Sequence, residues 1–373
     1  MIVGVPKEIK DGEFRVSIVP SGVERLTAKG HKVVIETNAG VASGIKDEDY
    51  AKVGAEIVSS MEEVYDKADL ILKVKEILPP EYELLKENQI IFTYIHSANR
   101  PKETQVLLDK KVVAFAYEDV MNEKGETFLL TPMSELAGEV GLLMGVYHLF
   151  NTNGGNGMLI GGAPGIEPAK VVIFGAGHVG VGAAKYALGL GADVTLMDVN
   201  IERMREIEKT ILPRVKTLYS NSYNVKKILP ETDLVINAVK WSPGLTIISR
   251  DMLKLMKPNS LIVDVDCEPN GAIETCRYST HSDPVYVVDG IRHFCVPNLP
   301  SAVSRTASYA LANATIPYVL EIANKGWIGA AKENKALRYG LDFVKGHLTF
   351  KPTADEQNRP YISAEEVLKV LDR

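Results

Sequence analysis

A strand of branched and aromatic residues that runs straight into three glycines at fixed spacing restricts a chain more than any other feature of this sequence. Lys170-Val-Val-Ile-Phe-Gly-Ala-Gly-His-Val-Gly180 is such a stretch. A lone GxGxxG also serves plain turns, so its flanks decide the reading. Val171 to Phe174 are strand formers, Val181 to Gly189 read as a small-residue helix, and Asp193 to Met197 read as a second strand that ends at Asp198. In this setting Gly175 allows the tight turn, Gly177 lets backbone approach a pyrophosphate, and Gly180 lets helix and strand pack closely. The helix N-terminus then faces the anion. Ala176, His178 and Val179 belong to the same loop, with His178 filling space beside the phosphates. Asp198 lies where a ribose hydroxyl would be accepted, and a carboxylate there repels a 2′-phosphate. The stretch therefore predicts a site for NAD rather than NADP.

The chain around this unit is too long for one ordinary core, since 373 residues exceed what a single core usually organises. With 46% apolar and 24% charged residues it has a globular rather than a disordered profile. A formal net charge of −6 without a basic block argues against nucleic acid as a partner but leaves room for small anionic substrates. Cys267, Cys276 and Cys295 are odd in number and lack CxxC spacing, so neither a disulfide framework nor a metal site is expected. Ile2 opens a strand without the apolar core of a signal peptide, and Met133 to Phe150 contains Glu135 and Glu139 and is too short to span a bilayer. The expected location is cytoplasmic.

Strands alternate with helices from the start. Ile2–Val5, Lys32–Glu36, Glu56–Val58, Leu70–Val74, Gln89–Ile95 and Val112–Ala116 read as strands, with helices at 20–29, 48–53, 61–67, 81–86 and 102–109. Such alternation means a mainly parallel sheet covered on both faces. A long helix is expected over 136–150, followed by a Gly/Asn loop. Beyond Asp198 the pattern predicts helices at 201–212 and 250–256 and strands at 215–219, 233–238 and 260–265. A second long helix is expected from about Thr306, kinked at Pro317, and a last one at 365–371. The fold class is α/β with two doubly wound, Rossmann-like domains. Residues 133–303 form the nucleotide domain, inserted between 1–132 and 304–373 and linked to them by the long helices.

Ligands of doubly wound sheets bind outside the C-terminal strand ends. That rule selects Arg15 after the first strand, Lys73 and Lys75 after another, His96 after a third, and Asp264, Asp266 and Glu268 in the nucleotide domain. Each has an ordinary alternative. A lysine at a strand end can simply be solvated, a histidine can be structural, Asp264 can pair locally, and His281-Ser-Asp-Pro284 reads as a turn.

Together these residues resemble the bacterial L-alanine dehydrogenase family, which also includes transhydrogenase alpha subunits, over nearly the whole chain. The motifs that carry the resemblance are Gly4-Val-Pro-Lys-Glu8, Arg15, Leu72-Lys-Val-Lys-Glu76, Phe92-Thr-Tyr-Ile-His96, Pro132-Met-Ser-Glu135, Gly161-Gly-Ala-Pro-Gly165, the Gly175 loop and Ala310-Leu-Ala-Asn-Ala-Thr-Ile-Pro-Tyr318. The resemblance implies oxidative deamination of L-alanine to pyruvate and ammonium with NAD, by a homo-oligomer, usually a hexamer. It implies that Arg15 and Lys75 hold the substrate and that His96 is the acid/base. It implies that Ser134, Arg203, Ser220 and Val239 line the cofactor site, with Asn298 and Leu299 beside the nicotinamide. The family's water-activating aspartate falls on Glu268, one methylene longer, and Asn237-Ala-Val-Lys-Trp-Ser-Pro-Gly244 departs from the family's Pro-Gly-Ala-Lys loop. Alternatives stand beside this expectation: an N-(carboxyalkyl) amino acid synthase acting on a keto acid and an amino acid, another small amino-acid dehydrogenase, and a transhydrogenase-like module that binds NAD without amino-acid chemistry.

Overall fold

The computed structural model describes residues 1–371. It divides into two compact units, Met1–Met133 with Val303–Arg373, and Ser134–Ala302. The first unit holds β1 (Ile2–Val5), β2 (Lys32–Glu36), β3 (Glu56–Val58), β4 (Leu70–Leu72), β5 (Ile90–Thr93) and β6 (Val113–Ala116). The second holds β7 (Lys170–Phe174), β8 (Asp193–Asp198), β9 (Lys216–Tyr219), β10 (Leu234–Asn237), β11 (Leu261–Asp264), β12 (Val285–Val288) and β13 (Ile291–Phe294). The chain then adds β14 (Leu341–Val344) and β15 (His347–Leu348) to the first sheet.

The first sheet has the order β15-β14-β6-β5-β4-β1-β2-β3. β1 to β6 pair in parallel, whereas β14 runs antiparallel to β6 and to β15. Because β1 lies between β2 and β4, the chain reverses its winding there and a crevice opens at the C-terminal strand ends. The second sheet has the order β12-β13-β11-β10-β7-β8-β9, with only β12 antiparallel, and its winding reverses between β7 and β10. Strands buried on both faces explain the near-continuous Val/Ile/Leu runs. One core gathers Val64, Ile71, Ile91, Ala114 and Phe343, the other Val172, Phe174, Val235, Leu253 and Ile262. Each fully buried aliphatic or aromatic side chain of this size contributes about 1.5–3 kcal/mol.

Several expected elements change character. The helices expected at 81–86 and 250–256 are 3₁₀ turns, Pro79–Leu84 and Arg250–Leu255. The helix expected to run to 212 is α-helical over Ile201–Glu206 and widens to a π-turn over Ile207–Ile211. The long helix Ser304–Glu333 keeps helical angles through Pro317 and breaks instead at Gly326, where φ is 71° and ψ is 162°. A proline costs one hydrogen bond but tolerates helical φ, whereas that left-handed backbone is open to glycine at little cost. The last helix is Ala364–Val370. The strands β12 to β15 were not expected, because each is four residues or fewer, at or next to a sheet edge, and carries too little alternation to register. No helix of the described residues is long and apolar enough to cross a membrane.

β14 also buries an acid. Asp342 sits at a register shift opposite β6, almost without exposure, and burial followed by the charges of Asp119 and Glu118 pushes its carboxyl well above the carboxylate range. The folded protein therefore keeps a proton that the unfolded chain releases near pH 4. Its contribution to stability is full below that pH and fades as pH rises towards the folded-state value. Asp342→Asn, which never ionises, will match the parent near pH 4. It will then gain on the parent by about 1.4 kcal/mol per pH unit over the window in which only the unfolded carboxyl is ionised. Urea unfolding at several pH values reads this out, and parallel stability curves for the two proteins would contradict it.

Candidate active site

In the first unit the crevice collects one group from each of three strand ends. Arg15 follows β1, Lys75 follows β4, and His96 follows β5. Beside Arg15 a cavity of about 370 Å³ is lined by Lys7, Glu8, Glu13, Arg15 and Asn38. Arg15 is nearly fully buried and is held by Glu13, with Nε donating to Oε1 at 2.7 Å and Nη2 to Oε2 at 2.6 Å. Its Nη1 faces the Met133 sulfur at 3.2 Å. Planar two-point pairing with Glu13 fixes the plane of the guanidinium in the crevice.

The two lysines part company. Lys73 is fully buried and pairs with Glu81 at 2.6 Å and Glu8 at 3.4 Å. Burial alone would strip its proton, and the two carboxylates keep it charged. It is a structural cation rather than a solvated one. Glu8 also accepts the backbone N–H groups of Val74 at 2.6 Å and Lys75 at 3.3 Å, which sets the turn that carries Lys75. For Lys75 the compensation from Glu76 and Glu13 is outweighed. Burial, with Arg15 and Lys10 as nearby like charges, pushes its ammonium down to about 8, a value at which it can both hold and release a proton at mildly alkaline pH.

His96 takes a left-handed backbone conformation, φ 51°, just past β5. Its imidazole is 44% exposed and lies parallel to the Tyr94 ring, with centroids 5.9 Å apart. Desolvation holds its pKa below the ordinary value; the Glu118 carboxylate opposes that shift and Lys75 adds to it. Further out, Glu76 binds Lys10 at 2.6 Å and Arg100 at 2.5 Å, so the crevice wall is a charge network rather than an apolar slot.

In the second unit the glycine loop leaves β7 into the helix His178–Gly189. Gly175 has φ 99°, and a Cβ there would come within 2.6 Å of the Ala238 carbonyl oxygen. A Cβ on Gly180 would lie 1.8 Å from the Gly175 carbonyl oxygen, so helix and turn touch through backbone. Gly177 differs, because a Cβ there meets nothing within 4 Å. Gly177 therefore borders open space at the helix N-terminus. The intervening Ala176 is clamped on both sides. Its N–H donates to Asp198 Oδ2 at 2.6 Å, and its carbonyl accepts from Arg203 Nε at 3.0 Å.

Asp198, Ser220 and Val239 line one cavity of about 320 Å³, walled by apolar groups that include Val225, Ile247 and Met252. Val239 also borders Gly175. His178 is half-exposed, with Nδ1 4.0 Å from the Glu135 carboxylate, and Val179 follows it in the first helical turn. Ser134 lies in the first turns of the helix Thr131–His148. Asn298 has a left-handed φ of 59°, and Leu299 beside it is buried at the start of a 3₁₀ turn. Asp264 pairs locally after all. It is buried, accepts from Asn237 Nδ2 at 2.7 Å, and burial together with Cys295 pushes it up to about 7. Glu268 stands exposed on the loop beyond β11, where Oε2 accepts from the Tyr278 hydroxyl at 3.2 Å.

Within each unit most candidates are thus brought together: Arg15, Lys75 and His96 in one, the glycine loop with Asp198, Arg203, Ser220 and Val239 in the other. Glu268 keeps separate company with Tyr278. Sequence reasoning missed the groups that hold them, namely Glu8, Glu13 and Glu118. Glu13 could have been found from its place two residues before Arg15, and Glu118 from its place just past β6, the strand beside β5.

Fold and side chains define a doubly wound α/β protein of two units, with a glycine-loop nucleotide fold in the second. The family description Alanine dehydrogenase/PNT, N-terminal domain, matches residues 4–137, and its C-terminal counterpart matches residues 141–351. The chain belongs to the alanine dehydrogenase/PNT family. It is 48% identical to an alanine dehydrogenase of Methanococcus maripaludis, over 99% of this chain and 100% of that protein. It is 45% identical to an alanine dehydrogenase of Bacillus subtilis, over 99% and 98%. A solved L-alanine dehydrogenase superposes with a TM-score of 0.92 at 41% identity, covering 96% of this chain and 99% of the other.

Proposed function

We propose that this chain is an L-alanine dehydrogenase that uses NAD: L-alanine, NAD⁺ and water give pyruvate, ammonium, NADH and a proton. The observation that carries the reading is the convergence of Arg15, Lys75 and His96 on one crevice, in a chain 48% identical to an alanine dehydrogenase over almost its full length. The second unit fits a dinucleotide. Open space borders Gly177 at the helix N-terminus, and the cavity beside Asp198 is apolar enough for a base. Gly175 to Gly180, Asp198, Arg203, Ser220 and Val239 would hold it, with Ser134, Asn298 and Leu299 completing the site. When bound, NAD supplies the hydride acceptor.

Arg15 and Lys75 bind the substrate carboxylate and the oxygen on Cα, and their charge stabilises the carbinolamine oxyanion. His96 takes the proton from that oxygen in deamination and returns it in the reverse direction, a role for which an imidazole is suited. Glu268 orients the water that adds to Cα. Assembly as a homohexamer and a cytoplasmic location are part of the same reading.

Purified protein given L-alanine and NAD at alkaline pH will form NADH, and pyruvate with ammonium will consume it. No turnover in either direction would refute the assignment. Turnover of pyruvate and NADH only when ornithine or lysine replaces ammonium would identify an N-(carboxyalkyl) amino acid synthase instead.

A further inference from the structure

We infer that Glu118 is the positioning residue of His96, fixing the Nδ1 edge of the ring so that Nε2 is the nitrogen that exchanges a proton with the substrate. The inference rests on the reading of His96 as the acid/base. β5 and β6 run parallel with Thr93 opposite Ala116, so a side chain two residues past the end of β6 falls beside the segment just past β5. Glu118 is that side chain.

Its carboxylate serves the His96 segment four times over. Oε1 and Oε2 accept the Ile95 N–H at 3.0 and 3.3 Å, Oε1 accepts the His96 N–H, and Oε1 lies 3.3 Å from His96 Nδ1. A left-handed histidine is uncommon and needs surroundings that hold it. Glu118 supplies them by bonding the two N–H groups that lead into the bend. Its carboxylate is 12% exposed against 44% for the imidazole, so the anchor is inside and the ring reaches out. Tyr94, whose hydroxyl donates to the Leu129 carbonyl at 2.6 Å, sets the tilt of the ring as a shelf beneath it. Glu118 sets its rotation.

A carboxylate at Nδ1 has two chemical consequences. It favours the tautomer with the proton on Nδ1, which leaves the lone pair of neutral imidazole on Nε2. It also favours the imidazolium that forms when Nε2 takes a proton. The other charged groups that act on His96 are Glu76, which works in the same sense, and Lys75 and Arg100, which oppose it, together with burial. Glu118 is foremost among the charges that favour the protonated ring.

Glu118→Gln, Glu118→Asp, His96→Ala and the His96→Ala/Glu118→Gln double variant test the inference in full-length enzyme. Glutamine keeps an oxygen for the two N–H groups and removes the charge. The acidic limb of the kcat/KM profile for alanine oxidation will move to lower pH by about half a unit or more. Its kcat will fall about 10- to 100-fold with alanine KM and NADH affinity within about twofold, a loss confined to the proton-transfer step. Aspartate, which keeps the charge, will restore the parental limb. In the double variant glutamine will cost nothing beyond His96→Ala, because the two act as a unit. If His96→Ala is crippled but Glu118→Gln keeps the parental profile, or the two losses add in full, Glu118 does not act through His96 and this inference alone falls. A fully active His96→Ala would overturn the reading of His96 itself and this inference with it.

Discussion

Replacing His96 with alanine will lower kcat for alanine oxidation by about 10²- to 10⁴-fold, the range that a positioned acid/base contributes. NADH affinity will stay close to parental, because His96 belongs to the first unit and the glycine loop to the second. The physical case lies in the environment of the ring. Desolvation holds the imidazole pKa below its ordinary value and Glu118 opposes that shift, so the ring is biased towards the neutral form, which can accept a proton, while a carboxylate stands by to favour the charged form. Alanine leaves neither donor nor acceptor at the end of β5. A steady-state comparison with a parallel NADH fluorescence titration decides the matter, and kcat within a few-fold of the parent would move the acid/base role to another group, with Lys75 at about 8 the foremost candidate.

The second large effect separates two glycines of one loop. Gly180→Ala will cost about 3 kcal/mol or more and abolish dinucleotide binding, since its Cβ would sit 1.8 Å from a backbone oxygen of Gly175 that no side-chain rotation can clear. Gly177→Ala will leave the melting temperature near the parent, because its Cβ meets no protein atom within 4 Å and its φ of −75° suits any residue. It will nonetheless weaken NADH binding, by about tenfold or more, as a methyl group enters the space kept for the pyrophosphate. Thermal melts beside NADH titrations of both variants give the answer. A Gly177→Ala protein that binds NADH normally would show that this space is not used by the cofactor.

Much of this was legible in the residues, for identifiable reasons. The glycine loop declared itself because the strand before it, the helix after it and the acid at the end of the next strand each have a physical signature. The rule that ligands sit beyond C-terminal strand ends then selected Arg15, Lys73, Lys75, His96, Asp264, Asp266 and Glu268 without any side-chain geometry, and the family resemblance chose Lys75 over Lys73. What stayed hidden was of two kinds. Strands β14 and β15 are four and two residues long, and their pairing is a tertiary event. The supporting carboxylates Glu8, Glu13 and Glu118 look like ordinary surface acids until the strand order is known. Lys73 and Lys75 make the same point, since two lysines two residues apart share a motif yet one is neutralised by Glu8 and Glu81 and the other is not.

The clamp on Ala176 bears on how cofactor choice could be changed. Asp198 is the residue one would exchange to admit a 2′-phosphate, yet its Oδ2 also holds the Ala176 N–H and its Oδ1 the Asn200 N–H. On the proposed reading, selectivity and loop shape are written into one carboxylate, so removing it to welcome a new ligand would also loosen the loop it holds. Redesign has a better foothold next door, at Val199, which lines the same cavity, is 64% exposed and carries a side chain that bonds to no backbone group.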